Sequence, residues 1–96
     1  MVTIIKSEIE LYDCEEGRKT PFITGYRPLF NIKNQDVVIS GQIILIDREI
    51  FQPGDKGVVE IRFLSKFLNE DFGPGSTFIF SEGIAPLGEG IVKEVL

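Results

Sequence analysis

The residues best suited to binding chemistry lie between Gly17 and Phe30, in the stretch GRKTPFITGYRPLF. Arg18 and Lys19 place two cations side by side, and Tyr26 and Arg27 add a phenol and a further cation. Cations of this kind make charge-assisted hydrogen bonds with phosphate groups and carboxylates. This stretch is therefore the first candidate for a binding surface.

Two prolines and a glycine determine the predicted backbone of the same stretch. Thr20 must be extended because Pro21 follows it, and Gly25 can adopt a positive φ. Pro28 lacks an amide hydrogen, so it belongs at the start of a strand or on an edge. The pattern predicts a strand, a tight loop and a second strand, with the charges near one rim. The alternative interpretation is an ordinary hairpin connection with solvated charges and no binding role.

The residue types that carry most catalysis are scarce in this chain. It contains no histidine and one cysteine, Cys14, whose acidic neighbours disfavour a thiolate. A zinc site would need carboxylates alone, and no spacing supports one. The carboxylate pairs Glu15–Glu16 and Glu70–Asp71 fall in polar loops, where solvation is the simpler interpretation. We therefore expect a protein that is not an enzyme and uses no metal or other cofactor.

The amino-acid composition limits which partners the chain can bind and which cellular compartment suits it. The chain has 96 residues and a net charge of −5, which predicts one domain whose overall field repels phosphates. Nucleic acid could then bind only at a local cationic patch. A lone cysteine fits a reducing compartment, and no apolar run is long enough for a signal peptide or a bilayer span. We expect a cytoplasmic protein with no membrane or DNA partner.

Hydrophobic periodicity predicts an all-β domain. Residues 3–12 and 57–64 alternate apolar and polar side chains, which is typical of strands with one wet face. Residues 37–46 are apolar on both faces, with Ser40-Gly41 as a predicted bulge, and Pro53-Gly54-Asp55 predicts a type II turn. Further strands are expected up to Ile32, around 77–81 and over 91–95, and 65–69 could hold one helical turn. About six short strands with no long helix predict an antiparallel barrel or sandwich.

The order of residues in this chain resembles the third, C-terminal β-barrel domain of elongation factor Tu. That family's signature runs approximately GGRHTPFxxGYRPQFYF and is followed by an Asp-Val pair. The matching residues here are Gly17, Arg18, Thr20, Pro21, Phe22, Gly25, Tyr26, Arg27, Pro28, Phe30, Asp36 and Val37. The likeness continues in Pro53-Gly54-Asp55 and in a closing segment that holds Glu82, Gly83, Gly88, Gly90, Val92, Val95 and Leu96. It covers essentially the whole chain and implies a single six-stranded antiparallel β-barrel over residues 1–96.

The resemblance also implies where RNA would bind. In the elongation factors this domain contacts the T-stem backbone of aminoacyl-tRNA. The positions that correspond here are Arg18, Ser40, Glu82 and Gly83, with Lys19 and Lys66 beside them. GTP is hydrolysed by a separate domain in that family. No phosphate-loop motif occurs in this sequence, and Gly88 and Gly90 precede a predicted strand rather than a helix, so we expect no GTP binding.

Departures from the family pattern point towards a protein partner. Leu29 replaces a glutamine that contacts the GTPase domain in the family, while Ala85 and Glu94 replace an arginine and a lysine. Extra residues lie around 38–40 and 72–75. An exposed apolar patch containing Leu29 would indicate docking by a protein. The alternative for Leu29 is local repacking where a partner domain is absent.

Two functions follow as hypotheses. The first is a binding module that mimics the third domain and docks a protein through Tyr26, Arg27 and Leu29. The partner would be an exchange factor, a GTPase domain or a toxin that recognises the elongation factor. The second is a translation accessory that binds the acceptor and T-stem of tRNA through the RNA-facing positions.

Overall fold

The fold is described from a computed structural model, which covers residues 2–13, 20–33, 38–64, 72–83 and 85–96. Within these ranges every regular element is a strand, as the period-two patterns predict. The strands are β1 (Val2–Leu11), β2 (Phe22–Ile23), β3 (Leu29–Ile32), β4 (Val38–Leu45), β5 (Ile50–Phe51), β6 (Lys56–Leu64), β7 (Thr77–Ser81) and β8 (Pro86–Val95). The all-β prediction is confirmed for the described residues.

Six of these strands close into one barrel. Its order is β1-β6-β4-β3-β7-β8, and β8 returns to pair with β1. All neighbouring strands run antiparallel. The predicted six-stranded antiparallel barrel is therefore confirmed. Closure leaves no exposed edge among these strands, which removes the usual route to uncontrolled strand pairing.

A small second sheet, β2 paired with β5, packs beside the barrel. The rings of Phe22 and Phe51 stack with centroids 5.2 Å apart, and both are buried in the same core as the barrel residues. A strand before the tight loop at Gly25 was predicted, but its pairing with β5 was not, because a two-residue strand such as β5 is too short to show a period. It is tied to β4 through Tyr26, which forms an isolated bridge with Ile43.

Inward-facing side chains of all six barrel strands form the core. The alternation predicted for β1 and β6 is confirmed, with Ile5, Ile9 and Leu11 buried on one strand and Val59, Ile61 and Phe63 on the other. Aromatic rings fill the centre: Phe30 meets Phe63 edge-on at 5.0 Å and Phe78 at 5.5 Å. The remaining buried residues of the cluster are Phe22, Ile32, Ile39, Ile43, Phe51, Phe80, Leu87 and Val92.

The predicted bulge at Ser40-Gly41 is wrong. The β4–β3 ladder ends at Ser40 and the β4–β6 ladder begins at Gly41, and neither contains a register shift. The bridge between Tyr26 and Ile43 continues the register of β3 past both residues. Gly41 is required for another reason, since a Cβ there would lie 2.8 Å from ring atoms of both Phe30 and Phe63. The register shifts occur on β8 instead, where it meets Lys6-Ser7 of β1 and Phe80-Ser81 of β7.

The closing strand begins earlier than predicted. β8 starts at Pro86 and includes Gly88 and Gly90, which the sequence analysis assigned to a connection before the strand. A Cβ on Gly90 would lie 2.8 Å from Ile9, so the rings and side chains of β1 and β7 fill the space that a side chain would need. Glycines carry no periodic hydrophobic signal, which explains the error.

The predicted turns are confirmed where the structure describes them. Gly54 has a φ of 89° and the amide of Asp55 donates to the carbonyl of Gln52 at 2.9 Å, as a type II turn requires. Gly25 has a φ of 96° in the tight loop between β2 and Tyr26. The predicted helical turn over 65–69 lies outside the described residues.

Candidate functional site

Charge divides the barrel into two halves. The contiguous strands β4, β3 and β7 contain no aspartate, glutamate, lysine or arginine in their sequences VISGQIIL, LFNI and TFIFS. The other three strands, β8, β1 and β6, are also contiguous. Their ionisable residues are Lys6, Glu8, Glu10, Lys56, Glu60, Arg62, Glu89, Lys93 and Glu94. Three adjacent strands of the barrel therefore carry charges, and the residues of the other three strands carry none.

The strand register brings apolar residues together on the outer face of the uncharged half. Leu29 of β3 lies directly opposite Ser40 of β4 and Ser81 of β7. Two residues along, Asn31 lies opposite Val38 and Ile79. Directly opposed residues of an antiparallel pair have Cβ atoms about 4.5 to 5.5 Å apart, so these side chains contact one another.

The apolar members of this face remain accessible to solvent. Leu29 is 42% exposed, Val38 59% and Ile79 44%. They point outward because the alternate residues Phe30 and Ile39 occupy the barrel interior. Single exposed apolar residues are common on protein surfaces, whereas a contiguous group indicates an interaction site.

A groove runs across this face, and we call it the outer groove. Its volume is about 220 Å³. The lining residues are Leu29, Asn31, Val38, Ile79, Ser81, Gly83 and Pro86. None of them is ionisable, and the Ser81 hydroxyl donates to the carbonyl of Gly83 at 3.2 Å, which holds the loop after β7 against the groove.

The structure brings together residues that the sequence analysis assigned to two different functions. Leu29, a protein-docking candidate, is the cross-strand neighbour of Ser40, an RNA-binding candidate. Gly83, a second RNA-binding candidate, lines the outer groove, and Glu82 is exposed beside it. The remaining RNA-binding candidates, Arg18, Lys19 and Lys66, lie outside the described residues.

The other two docking candidates differ from Leu29 in their surroundings. Tyr26 is half-buried, and its ring stacks on that of Phe22 with centroids 4.5 Å apart. The amide of Gly25 donates to the carbonyl of Ile43, and the amide of Ile43 donates to the carbonyl of Tyr26, each at 2.8 Å. This packing makes Tyr26 an anchor between the small sheet and β4. Arg27 is exposed and precedes Pro28 and Leu29, so its charge lies near one end of the uncharged face.

Most of the groove was not predicted from the sequence. Val38, Ile79 and Pro86 come from three strands that are distant in sequence, and their convergence depends on the strand order. One signal was available, because residues 37–46 and 77–81 contain no ionisable residue. Strands that face water usually carry polar side chains on that face. Two strand segments without ionisable residues therefore predict an outer surface that carries no charge.

A separate cluster surrounds Arg48 at the small sheet. Its guanidinium lies 4.9 Å from the centre of the Phe51 ring, 2.8 Å from Asp47 and 3.7 Å from Asp55. The hydrogen bond from Arg48 lowers the pKa of Asp47 below its usual 3.8, and the same bond raises the pKa of Arg48. These contacts cover Phe51 and fix the β4–β5 connection, so we interpret the cluster as structural.

The groove offers apolar surface, one side-chain amide and one hydroxyl group. Within the described ranges no group of three or more potential metal ligands occurs, and no helix is long and apolar enough to cross a bilayer. An uncharged concave surface of this kind stabilises an apolar partner group by excluding water and provides no charge to hold a phosphate. No protein-family model matches the chain.

Proposed function

We propose that this chain is a non-enzymatic binding module, similar to the third domain of elongation factor Tu, that docks a protein through the outer groove. The partner is a protein that recognises the elongation factor: an exchange factor, a GTPase domain or a toxin. The observation that carries the proposal is the outer groove, whose lining has no ionisable residue and includes the exposed apolar residues Leu29, Val38 and Ile79.

The chemistry of this face favours protein over RNA. Interface centres are depleted in charged residues, which describes the three strands of the uncharged half. Leu29 also occupies the position at which the elongation factors have a glutamine that contacts the GTPase domain. Leucine is more apolar than glutamine, so this position suits an apolar contact. The closed six-stranded barrel supports the likeness at the level of fold, and a fold alone does not choose a partner.

Binding of tRNA is the second candidate function, and the position of Ser40 and Gly83 on one face favours it. Cations from Arg18, Lys19 and Lys66 would have to supply the phosphate contacts. Three or four such contacts would weaken binding roughly 40- to 150-fold between 50 and 200 mM salt. Docking through an uncharged groove is much less sensitive to salt, since few counterions are released.

The purified chain should be immobilised for a binding assay. Binding is then measured for an elongation factor GTPase domain, an exchange factor, a factor-recruiting toxin and labelled tRNA, each at about 50 and 200 mM salt. We expect saturable binding of at least one protein. Leu29→Glu should weaken it at least tenfold, because the variant buries an unpaired carboxylate at the interface. The matched control is Ile23→Glu, which places the same charge on a 65% exposed isoleucine outside the groove.

Three results would contradict protein docking at this face. They are no binding of any protein, equal losses in Leu29→Glu and Ile23→Glu, and binding of tRNA alone with a steep salt dependence. The last result, together with loss of tRNA binding in Arg18→Ala, would support the second candidate function.

A further inference from the structure

We propose that the outer groove binds an extended segment of its partner that runs along β3, with one large apolar side chain in the groove and an acidic residue on each side of it. The inference rests on the proposed function and specifies the chemistry of the partner. The observations that carry it are a cation at each end of β3, a groove lining without ionisable groups, and the size of the face.

The two cations lie in line with the groove. Arg27, Leu29, Asn31 and Lys33 are alternate residues and are all exposed, whereas the three residues between them are buried. The backbone stays paired beyond both ends of β3: the amide of Lys33 donates to the carbonyl of Thr77 at 3.0 Å, and an isolated bridge to β4 lies one residue before Arg27. Six residues of about 3.4 Å each separate the cations by about 20 Å, with the groove between them.

Both cations are available to a partner. Among the described residues, neither Arg27 nor Lys33 forms an ion pair, whereas Arg62 of β6 is paired with Glu60 at 3.2 Å. A carboxylate beside either cation would form an exposed ion pair, which adds modestly to affinity and fixes the register of the bound segment.

The nearest acidic residues border a different side of the face and select the orientation of the segment. Glu89 of β8 lies opposite Ile79 and accepts a hydrogen bond from the Tyr12 hydroxyl at 2.9 Å, while exposed Glu82 precedes the lining residue Gly83. An acidic segment that crossed the strands would meet Glu82 or Glu89. A segment that runs along β3 meets a cation at each end instead.

The lining selects the type of anchor. Leu29, Val38 and Ile79 provide apolar surface, and no ionisable group of the lining could pair with a buried charge. A charged anchor would lose its hydration without compensation, whereas an aromatic or large aliphatic side chain gains by leaving water. Asn31 adds an exposed amide at the groove wall, a suitable partner for the backbone of a bound segment.

The size and charge of the face argue against a second copy of this chain. The face is about 20 Å long and roughly 10 Å wide between its outer strands, well below the 800 Å² or so that each partner of a stable dimer buries. Sheets that pack face to face keep their strands nearly aligned, so a two-fold axis would stack β3 on its own copy. Arg27 would then lie against Arg27 or Lys33 of the other copy, and these like charges repel.

The test uses the full isotope-labelled chain and three synthetic heptapeptides with blocked ends. The first is Gly-Glu-Ser-Phe-Ser-Glu-Gly; the second replaces phenylalanine by serine, and the third replaces both glutamates by lysine. In an extended peptide the two glutamates share one side and lie about 14 Å apart, so the long side chains of Arg27 and Lys33 can reach them. Each peptide is titrated to about 5 mM at about 50 mM salt, while methyl and amide shifts are recorded.

We expect saturable shifts centred on Leu29, Val38 and Ile79 with the first peptide. The serine peptide should bind at least about tenfold more weakly, because it lacks the anchor. The lysine peptide should bind at least about fivefold more weakly, because two repulsions replace two exposed ion pairs.

Reversing both cations tests the charge assignment directly. The double variant Arg27→Glu, Lys33→Glu should prefer the lysine peptide over the glutamate peptide. The matched control is Lys93→Glu, which makes the same change on an exposed residue of β8 and should keep the original preference. Amide spectra show whether each variant is folded, and a variant that does not fold leaves the comparison of the three peptides on the parent chain as the deciding measurement.

Equal binding of the phenylalanine and serine peptides, equal or tighter binding of the lysine peptide, an unchanged preference in the folded double variant, shifts elsewhere, or no saturation would each overturn the inference. These failures are distinct from failure of the proposed function. A protein partner that depends on Leu29 would leave that function standing after the peptides fail, and peptide binding would stand even if no elongation-factor partner bound.

Discussion

Replacing Gly41 by alanine would place a methyl group between the rings of Phe30 and Phe63. The added Cβ would lie 2.8 Å from Phe30 Cε2 and 2.8 Å from Phe63 Cδ1, and both rings are fully buried. The two rings form an edge-to-face pair with centroids 5.0 Å apart, so neither can move without losing contact with the other. The core must therefore expand to accept the methyl group.

The size of the effect follows from two opposing contributions. Overpacking a buried site costs about 1 to 3 kcal/mol, while alanine in place of glycine stiffens the unfolded chain and returns about 0.4 to 1 kcal/mol. We expect Gly41→Ala to lower the free energy of unfolding by about 1.3 kcal/mol, the difference between the midpoints of the two ranges, and by at most about 2.6 kcal/mol. For a domain of this size, each kcal/mol corresponds to a Tm change of about 4 to 8 °C.

Urea denaturation followed by circular dichroism measures this difference, and Gly73→Ala is the matched control. Nothing lies within 4 Å of a Cβ at Gly73, and its φ is not in the left-handed region, so this substitution should leave stability unchanged or slightly increase it. If Gly41→Ala were as stable as the parent, or if both variants lost the same free energy, the inferred packing of β4 against the two rings would be wrong.

Two further substitutions test polar groups of the fold. The Ser7 hydroxyl is buried and has no hydrogen-bond partner among the described residues, so Ser7→Ala should leave the free energy of unfolding unchanged or raise it by about 1 kcal/mol in urea titrations. A loss of about 1 kcal/mol would show instead that the hydroxyl is paired. Arg48 lowers the pKa of Asp47, so the stability from this pair is present above the usual pKa of 3.8 and is lost as pH falls through the lower folded value. The stability difference between the parent chain and Asp47→Asn should therefore shrink when urea titrations are repeated at pH values below 3.8, and a difference that does not change with pH would contradict the assigned cause.

Most of the fold could be predicted because strand patterns are local. Alternation over residues 3–12 and 57–64 marked β1 and β6, and the turn at Pro53-Gly54 follows from the φ values that those two residues allow. The errors occurred where glycines remove the pattern. Gly41 was interpreted as a bulge and Gly88 as part of a connection, although both are required by phenylalanine rings that pack against their backbones.

The candidate site could be predicted only in part. Leu29 is exposed and lines the outer groove together with Val38 and Ile79, whereas its role in docking a protein stays a prediction. The position of Ser40 beside Leu29 could not be predicted without the register of β3 against β4. Tyr26 was grouped with Leu29 because the two are close in sequence, yet its ring packs against Phe22 rather than lining the groove.

Local sequence is enough to assign which residues of β1 and β6 face the core, where the chain turns at Pro53-Gly54, and which segments contain no ionisable residue. Each of these properties depends on a few neighbouring residues, because side chains alternate along a strand and turns depend on local φ preferences. The adjacency of the three ion-free strands, in contrast, is a property of the tertiary structure. That adjacency arises because β3 pairs with β4 on one side and with the distant β7 on the other, and closure of the barrel fixes this order. The uncharged face with its groove is a product of that long-range pairing.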